Sequence, residues 1–386
     1  MRKSIMIRIT ALACMAALLV GCNLVRVNPE KDRQLVIAVV NGEDILKGDY
    51  LDMYEQQRYY YGITEDVEND PDQKESIQKF KESILDSLVV WKIIEQKAAE
   101  AGYTVTEEDL IKAREDTIAD WADYLKSLDE DQGNEVLTRE EYEHKAVESL
   151  QQTADERYTT VEEIIRKQAV AEKSQAFQDE TLKDQVATVA EVESYYQENL
   201  SSQQQDPSTI SSAGVTLYQT PGVKVRYIRL DMNDEQKAEY DTLAADNQAA
   251  ADTYLKEQLY DRASSLAAEA RGETDWEAMK EAYAEDDLVF FILEPFDMRK
   301  GGGWDDDIID QLMVLNAGDV AEPIINNSAY YIYAVDEKLS EKVFTLDEKR
   351  DEIQDYLDTQ KKNEKWSELT QQWRDASEVK LYKGRL

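Results

Sequence analysis

The sequence is short of cysteine, of histidine, of positive charge and of long apolar runs, and each shortage removes a class of function. Its two cysteines, Cys14 and Cys22, both sit near the start of a 386-residue chain. Beyond Cys22 there is no thiol, so the body holds no disulfide, no thiolate metal site and no cysteine nucleophile. The single histidine, His144, lies in the run Glu140-Glu141-Tyr142-Glu143-His144-Lys145 and reads as part of a solvated helix face. Lys and Arg number 44 against 82 Asp and Glu, a net charge of −38. Loss of Arg2, Lys3 and Arg8 with a leader takes the charge to −41. A chain this acidic is repelled by nucleic-acid phosphate and by anionic lipid, so no nucleic-acid partner is expected and the body should stand off a membrane surface. The same charge either draws in basic or partly unfolded chains or serves colloidal stability alone. The carboxylates form no compact ligand motif and no calcium loop, so neither metal nor cofactor is expected.

What is present begins at the N-terminus. Ile9 to Val20 is apolar but too short to span a bilayer. It follows Arg2, Lys3 and Arg8 and ends in Leu19-Val20-Gly21-Cys22, the order of a bacterial lipoprotein leader. Residues 1–21 are therefore expected to be a signal peptide, Cys22 the lipidated residue and 22–34 a tether. The remainder would be held outside the cytoplasm, touching the bilayer through the Cys22 anchor only. An ordinary amphipathic N-terminal helix is the alternative.

The body changes character along its length. Leu35 to Val40 is β-prone and ends at the turn signal Asn41-Gly42. Ile45 to Tyr61 reads as helix and carries Tyr50, Tyr54, Tyr59, Tyr60 and Tyr61. Ile77 to Ala101 has a three-four apolar spacing (Ile77, Phe80, Ile84, Leu85, Leu88, Trp91), closed by Gly102. Thr106 with Glu107, Glu108 and Asp109 opens the next helix. Further helices are expected at 138–158, 161–186 and 189–200. The Ser-, Gln- and Pro-containing stretch 201–217 reads as a linker. Val223 to Leu230 then alternates like a half-buried strand, 233–269 is helical in one or two pieces, and strands are expected at 288–293 and 329–335. Leu346 to Asp375 is a closing amphipathic helix, with a short strand at 379–382. Strands mixed with helices in this order imply an α+β fold that is mainly helical.

The arrangement resembles the PrsA and SurA group of extracytoplasmic foldases, in which a helical chaperone module carries an inserted parvulin-type prolyl isomerase domain. Ala38-Val39-Val40-Asn41-Gly42-Glu43-Asp44-Ile45 resembles the start of that module. Ile84 to Val89 with Glu95, Ala98 and Gly102 is similar to its long helix, and Val192 to Asn199 to the helix before the isomerase domain. Leu346 to Trp373 resembles the helix that returns to the module. Within 218–337, Gly272-Glu273-Thr274-Asp275-Trp276, Tyr283-Ala284-Glu285-Asp286, Gly301-Gly302-Gly303-Trp304 and Leu315 to Pro323 are similar to parvulin elements. The resemblance implies a helical chaperone module over 35–200, a parvulin-like domain over 218–337 and a returning C-terminal helix over 338–386. It also implies a lipid-anchored protein on the outer face of a Gram-positive-type cell membrane.

The departures bear on activity. Active parvulins carry one histidine in the first strand and one in the last, and Tyr227 and Tyr331 stand at those places. Asp286 would be the acidic member, and Ile308 and Met313 the apolar pocket positions. With both imidazoles replaced, the resemblance implies a chaperone for unfolded or newly secreted polypeptides whose isomerase activity is weak or absent. An active prolyl isomerase is the first alternative, and a non-enzymatic structural or ligand-binding lipoprotein the second. Candidate client contacts are Tyr54, Tyr60, Tyr61, Trp91, Trp121, Trp366 and Trp373, each of which could instead serve core packing. Monomer and homodimer are equally compatible with the sequence.

Overall fold

The computed structural model describes residues 28–273 and 275–386. The expected leader and Cys22 lie outside the described residues, as does Thr274. The elements run α1 (Pro29–Arg33), β1 (Val36–Val40), β2 (Glu43–Leu46), α2 (Lys47–Tyr60), α3 (Glu65–Asn69), α4 (Lys74–Glu100), α5 (Glu107–Asp131), α6 (Arg139–Glu156), α7 (Val161–Leu182) and α8 (Val189–Gln205). They continue with β3 (Tyr218–Gln219), β4 (Gly222–Leu230), α9 (Asp234–Asp246), α10 (Gln248–Gly272), α11 (Trp276–Ala282), β5 (Val289–Arg299) and α12 (Asp306–Met313). Last come β6 (Ile324–Asn326), β7 (Ala329–Leu339), β8 (Lys342–Val343), α13 (Leu346–Ala376) and β9 (Val379–Leu381). The fold is α+β and mainly helical. The chain packs as two units, one of residues up to Asp184 with Glu364–Leu386, the other Gln185–Asn363. Among the described residues no helix is long and apolar enough to cross a membrane.

In the first unit, β1 and β2 form a hairpin across Asn41 (φ 50°) and Gly42 (φ 90°), both left-handed as a two-residue turn requires. β9 adds to the other side of β1, with Ala38 opposite Leu381. Ile37, Val40, Tyr50, Ile84, Leu85, Val89 and Ile93 bury together beneath this small sheet. The acidic helices start on side-chain caps. Thr106 and Thr138 each exchange hydrogen bonds with an acid three residues on, Asp109 and Glu141. Asp109 also pairs with Lys173 at 2.8 Å, and with these partners its carboxyl is held down at about 2. The expected tether is not wholly extended. Asn28 caps α1 and Pro29 pre-sets its first turn, while Arg33 and Asp32 pair with Asp52 (2.5 Å) and Lys47 (3.1 Å).

The second unit is built on the antiparallel sheet β5-β4-β7-β6. Side chains alternate across it. Ile228, Leu230, Tyr330, Ile332 and Ala334 pack under α10 with Leu255, Leu259 and Leu266. Val223, Val225, Tyr333 and Val335 pack on the other face against Ile308, Ile309 and Leu312 of α12. The long helical stretch at 233–269 is two helices because Asn247 leaves helical geometry (φ −158°) and caps the second through the Ala249 and Ala250 N–H groups. The stretch 201–217 is not a free linker. It is helical to Gln205, runs through a 3-10 turn at Pro207–Ser212, and then buries Val215 and Leu217 with Val192 and Ile353. Gln203 explains the difference. Its buried amide donates to the Val215 carbonyl (2.9 Å) and accepts from the N–H groups of Leu217 (2.8 Å) and Tyr218 (3.0 Å). One polar side chain thereby satisfies three backbone groups that composition alone assigns to solvent.

Two outcomes follow for stability. Gly301 has φ +76°, and a Cβ there would collide with the Pro207 carbonyl. Gly301→Ala should cost about 1–3 kcal/mol in denaturant unfolding, whereas Gly384→Ala, which meets no neighbour, should not register. Glu191 completes the Thr188 capping box and pairs with Lys361 at 2.7 Å, and its carboxyl is pulled from 4.5 to about 2 by Lys361 first and Thr188 next. A depressed carboxyl stabilises fully above its unfolded value and stops doing so as pH falls through its folded value. Glu191→Gln should therefore lower the unfolding midpoint at pH 7, with the gap to the parent closing between about pH 4.5 and pH 2.

Candidate functional site

β4 and β7 are the central strands of the second unit's sheet, and their register sets Tyr227 opposite Tyr333 and Arg229 opposite Tyr331. Odd-numbered residues on both strands share one face, so three tyrosines meet there. The ring of Tyr227 lies 5.2 Å from that of Tyr331 and 5.7 Å from that of Tyr333, and Tyr331 stacks on Tyr333 at 5.8 Å. Phe296 of β5 meets Tyr227 edge-on at 5.9 Å and carries Trp304 beyond it at 5.2 Å. From the side, α12 contributes buried Ile308 and half-buried Met313. Burial raises the phenols of Tyr227 and Tyr333 above the usual tyrosine value, and neighbouring Tyr331 adds to both shifts. Tyr227 and Tyr333 are thus neutral hydrogen-bonding groups at physiological pH.

Tyr227, Ile308, Met313 and Tyr331 come together. Asp286 does not. It forms an ion pair with Arg262 of α10 and accepts the Leu288 N–H at 3.2 Å, which ties it to the helices covering the opposite face of the sheet. The expected acidic member is absent from the tyrosine face because a nearby guanidinium has captured it. Tyr333 and Phe296 were not singled out by sequence, and Trp304 appeared there only within the Gly301-Gly302-Gly303-Trp304 turn. Alternation along β7 would have found Tyr333, since it shares parity with Tyr331. Phe296 shares parity with Ile292 and so the same face, and an irregularity in β5 sets it opposite Val225. Val225 opposes Phe296 and Tyr227 opposes Ile292, so residues 293–295, including Pro295, answer Arg226 alone.

The cluster is a filled surface with a wet margin. A cleft of about 350 Å3 opens beside Tyr331, lined by Arg229, Asp231, Lys237, Asn326 and Ser328. Its walls are mixed, with Met232 and Ala329 beside the polar residues, and Tyr227, Ile308 and Met313 are not among them. Among the described residues no group of three His, Asp or Glu is placed to hold a metal.

The second set of candidates lies in the first unit. Rings run outward from its core: Tyr50 to Tyr54 at 6.0 Å, Tyr54 to Phe80 at 5.8 Å, Phe80 to Tyr61 at 5.9 Å, and Tyr61 to Tyr60 at 5.2 Å. Tyr54 is buried in this series and is removed from any accessible surface. Burial, and after it the adjacent Glu68, pushes its phenol up, while Tyr50 reaches about 12 by the same two causes. Tyr60 and Tyr61 are 81% and 64% exposed, and Trp91 on α4 is 59% exposed. Trp121 is half-buried against Tyr124. Trp366 and Trp373 are half-buried too. They meet at 5.5 Å and close around Phe177 of α7, so their main work is packing.

Comparison with known proteins gives a consistent likeness. A family model described as the SurA-like N-terminal domain matches residues 1–137. A foldase protein PrsA of Clostridium botulinum is 23% identical over 372 residues, covering 95% of this chain and 94% of the relative. Along nearly its whole length the chain is similar to PrsA foldases, and over its N-terminal third to the SurA-like N-terminal domain. A PrsA foldase of Clostridium kluyveri is similar at 23% over 365 residues, covering 93% of this chain and 92% of its own length. Among solved structures, one of two related SurA-like chaperones of Campylobacter jejuni covers 90% of this chain and 98% of its own at 10% identity, with a TM-score of 0.32. These relatives are named as foldases and chaperones.

The two aromatic groups should respond differently to truncation. Tyr333→Ala removes a fully buried ring and should cost about 3–5 kcal/mol in urea unfolding, whereas Tyr60→Ala should stay within about 0.5 kcal/mol.

Proposed function

We propose that this protein is a chaperone for newly secreted polypeptides, anchored outside the cytoplasm through Cys22, with little or no prolyl isomerase activity. The observation that carries the second half is the packed group of Tyr227, Tyr331, Tyr333 and Phe296. Rotation about an X-Pro bond crosses a barrier of about 20 kcal/mol and needs neither proton transfer nor a nucleophile. Its catalysis needs an apolar cup that accepts the proline ring and polar groups that favour the twisted amide over the planar one. By resemblance to parvulins, Tyr227 and Tyr331 stand where the two histidines would be. Each phenol is bulkier than an imidazole, and their mutual contact occupies the space a proline would enter. The apolar wall contributed by Ile308 is itself buried. Asp286, engaged by Arg262, cannot replace the missing polarity.

Client capture is supported by different residues. Tyr60, Tyr61 and Trp91 offer large rings with one polar handle each, which suits binding of little sequence specificity. A net charge of −38 keeps a bound, aggregation-prone chain in solution and attracts basic clients.

The chain without residues 1–22 should leave the isomerisation rate of a proline-containing peptide at its buffer value, and Tyr227→Ala or Tyr331→Ala should not lower it further. The same preparation should suppress aggregation of several unfolded proteins, and Tyr60→Ala with Tyr61→Ala and Trp91→Ala should weaken that effect several-fold. Accelerated isomerisation that either tyrosine variant abolishes would reverse the enzymatic half, and failure to protect any client would reverse the other.

A further inference from the structure

The outer strand of the second unit's sheet carries an unusual edge. β5 is terminal in the order β5-β4-β7-β6. Its first half is Val289-Phe290-Phe291-Ile292-Leu293, an apolar run with no Lys, no Pro and no inward-pointing charge. These are the devices that keep strand edges from recruiting another strand, and β5 places its Pro295 and its irregularity only after Leu293. The hydrogen-bonding phase of the edge can be read from one contact. Asp231 N–H donates to the Leu288 carbonyl at 2.8 Å, so 231/288, 229/290 and 227/292 are the hydrogen-bonded pairs of the β4–β5 ladder. The intervening residues Val289, Phe291 and Leu293 point their N–H and C=O groups away from β4. The Val289 N–H is taken by the Asp286 carbonyl. Among the described residues, no hydrogen bond reaches the N–H or C=O of Phe291.

The side chains say what would pair there. Phe290 and Ile292 are 44% and 41% exposed on the tyrosine face, and the Arg229 guanidinium lies 4.5 Å from the Phe290 ring centre. Asp287 and Glu294 bracket the apolar run, both exposed and, among the described residues, both outside any ion pair. A second copy laid antiparallel along this edge would bring like charges together at both ends. An extended apolar segment flanked by Lys or Arg would meet complementary charge instead.

We propose that the Val289–Leu293 edge takes an extended, alternately apolar client segment with basic flanks as a fifth strand of the sheet. This rests on the chaperone reading above and names the mode in which one client class binds. Affinity comes from backbone hydrogen bonds to Phe291, and selection from apolar side chains lying beside Phe290 and Ile292.

The test uses the chain without residues 1–22 and a peptide of alternating Val and Thr with Lys at each end. In the bound register the Val residues lie beside Phe290 and Ile292, and the Thr residues opposite Phe291 form the hydrogen bonds. N-methylating the Thr set should weaken binding at least tenfold, while N-methylating the Val set should leave it within about twofold. Hydrogen exchange at the Phe291 amide should slow on adding peptide, and Phe290→Lys with Ile292→Lys, both exposed, should weaken binding without moving the unfolding midpoint. Equal binding by both methylated peptides would overturn the strand mode in favour of a side-chain groove. Slowed exchange at Phe291 that rises with protein concentration in the absence of peptide would assign the edge to a second copy. No peptide binding, with aggregation suppression intact, would overturn this inference and leave the chaperone reading standing. Loss of both would remove the two together.

Discussion

The pairing of β4 with β7 is the constraint on which the second unit depends. Both faces of the pair pack on apolar cores, so Val223, Val225 and Tyr227 are committed to one and Ile228 and Leu230 to the other by parity. A slip of one residue would exchange the two sets, turning Arg229 toward the α10 core and taking Ile228 and Leu230 out of it. The register therefore has no near competitor. It also dictates that Tyr227, Tyr331 and Tyr333 share a face, which makes the aromatic cluster a consequence of the sheet.

The first unit answers a different problem, how very acidic helices stay folded. Their apolar stripes are narrow, and much of the contact is made by alanines. Ala113 and Ala169 sit in one small cluster, Ala122 and Ala146 in another. Small residues let helices approach closely but bury little area, so the helix ends matter more than usual. A threonine cap at each of α5, α6 and α7 provides that, with acids in the first turn placed where the helix dipole favours them. The negative charge is arranged to support the helices that carry it.

The legible parts of this fold were those written in local chemistry. Asn41-Gly42 announced its hairpin, Thr106 its helix, and the alternation at 223–230 its strand. The illegible parts were set by partners far away in sequence. Gln203 looks like linker composition until the strand it satisfies is in place. Asp286 fits a site by spacing but is taken by Arg262, from a helix whose distance no motif encodes. Tyr54 and Tyr60 lie on one short helix with similar credentials, yet one is core and the other solvent-facing, because only Tyr54 points toward Phe80 and the strands below. The irregularity at residues 293–295, which sets Phe296 opposite Val225, leaves Pro295 as its one trace in the sequence.

The strand β9 has a bearing on how the molecule is made. Its partner β1 is among the earliest parts of the body to be synthesised, yet Leu381 joins Ala38 only after everything between has been threaded out. Trp373, Val379 and Leu381 then enter the same core as Ile37 and Ile84. A chain synthesised from its N-terminus must hold its first hairpin open along one side throughout the birth of the second unit. The N-terminal portion thus passes through a stage of incomplete burial, and maturation is a closing step that couples the two ends of its biosynthesis.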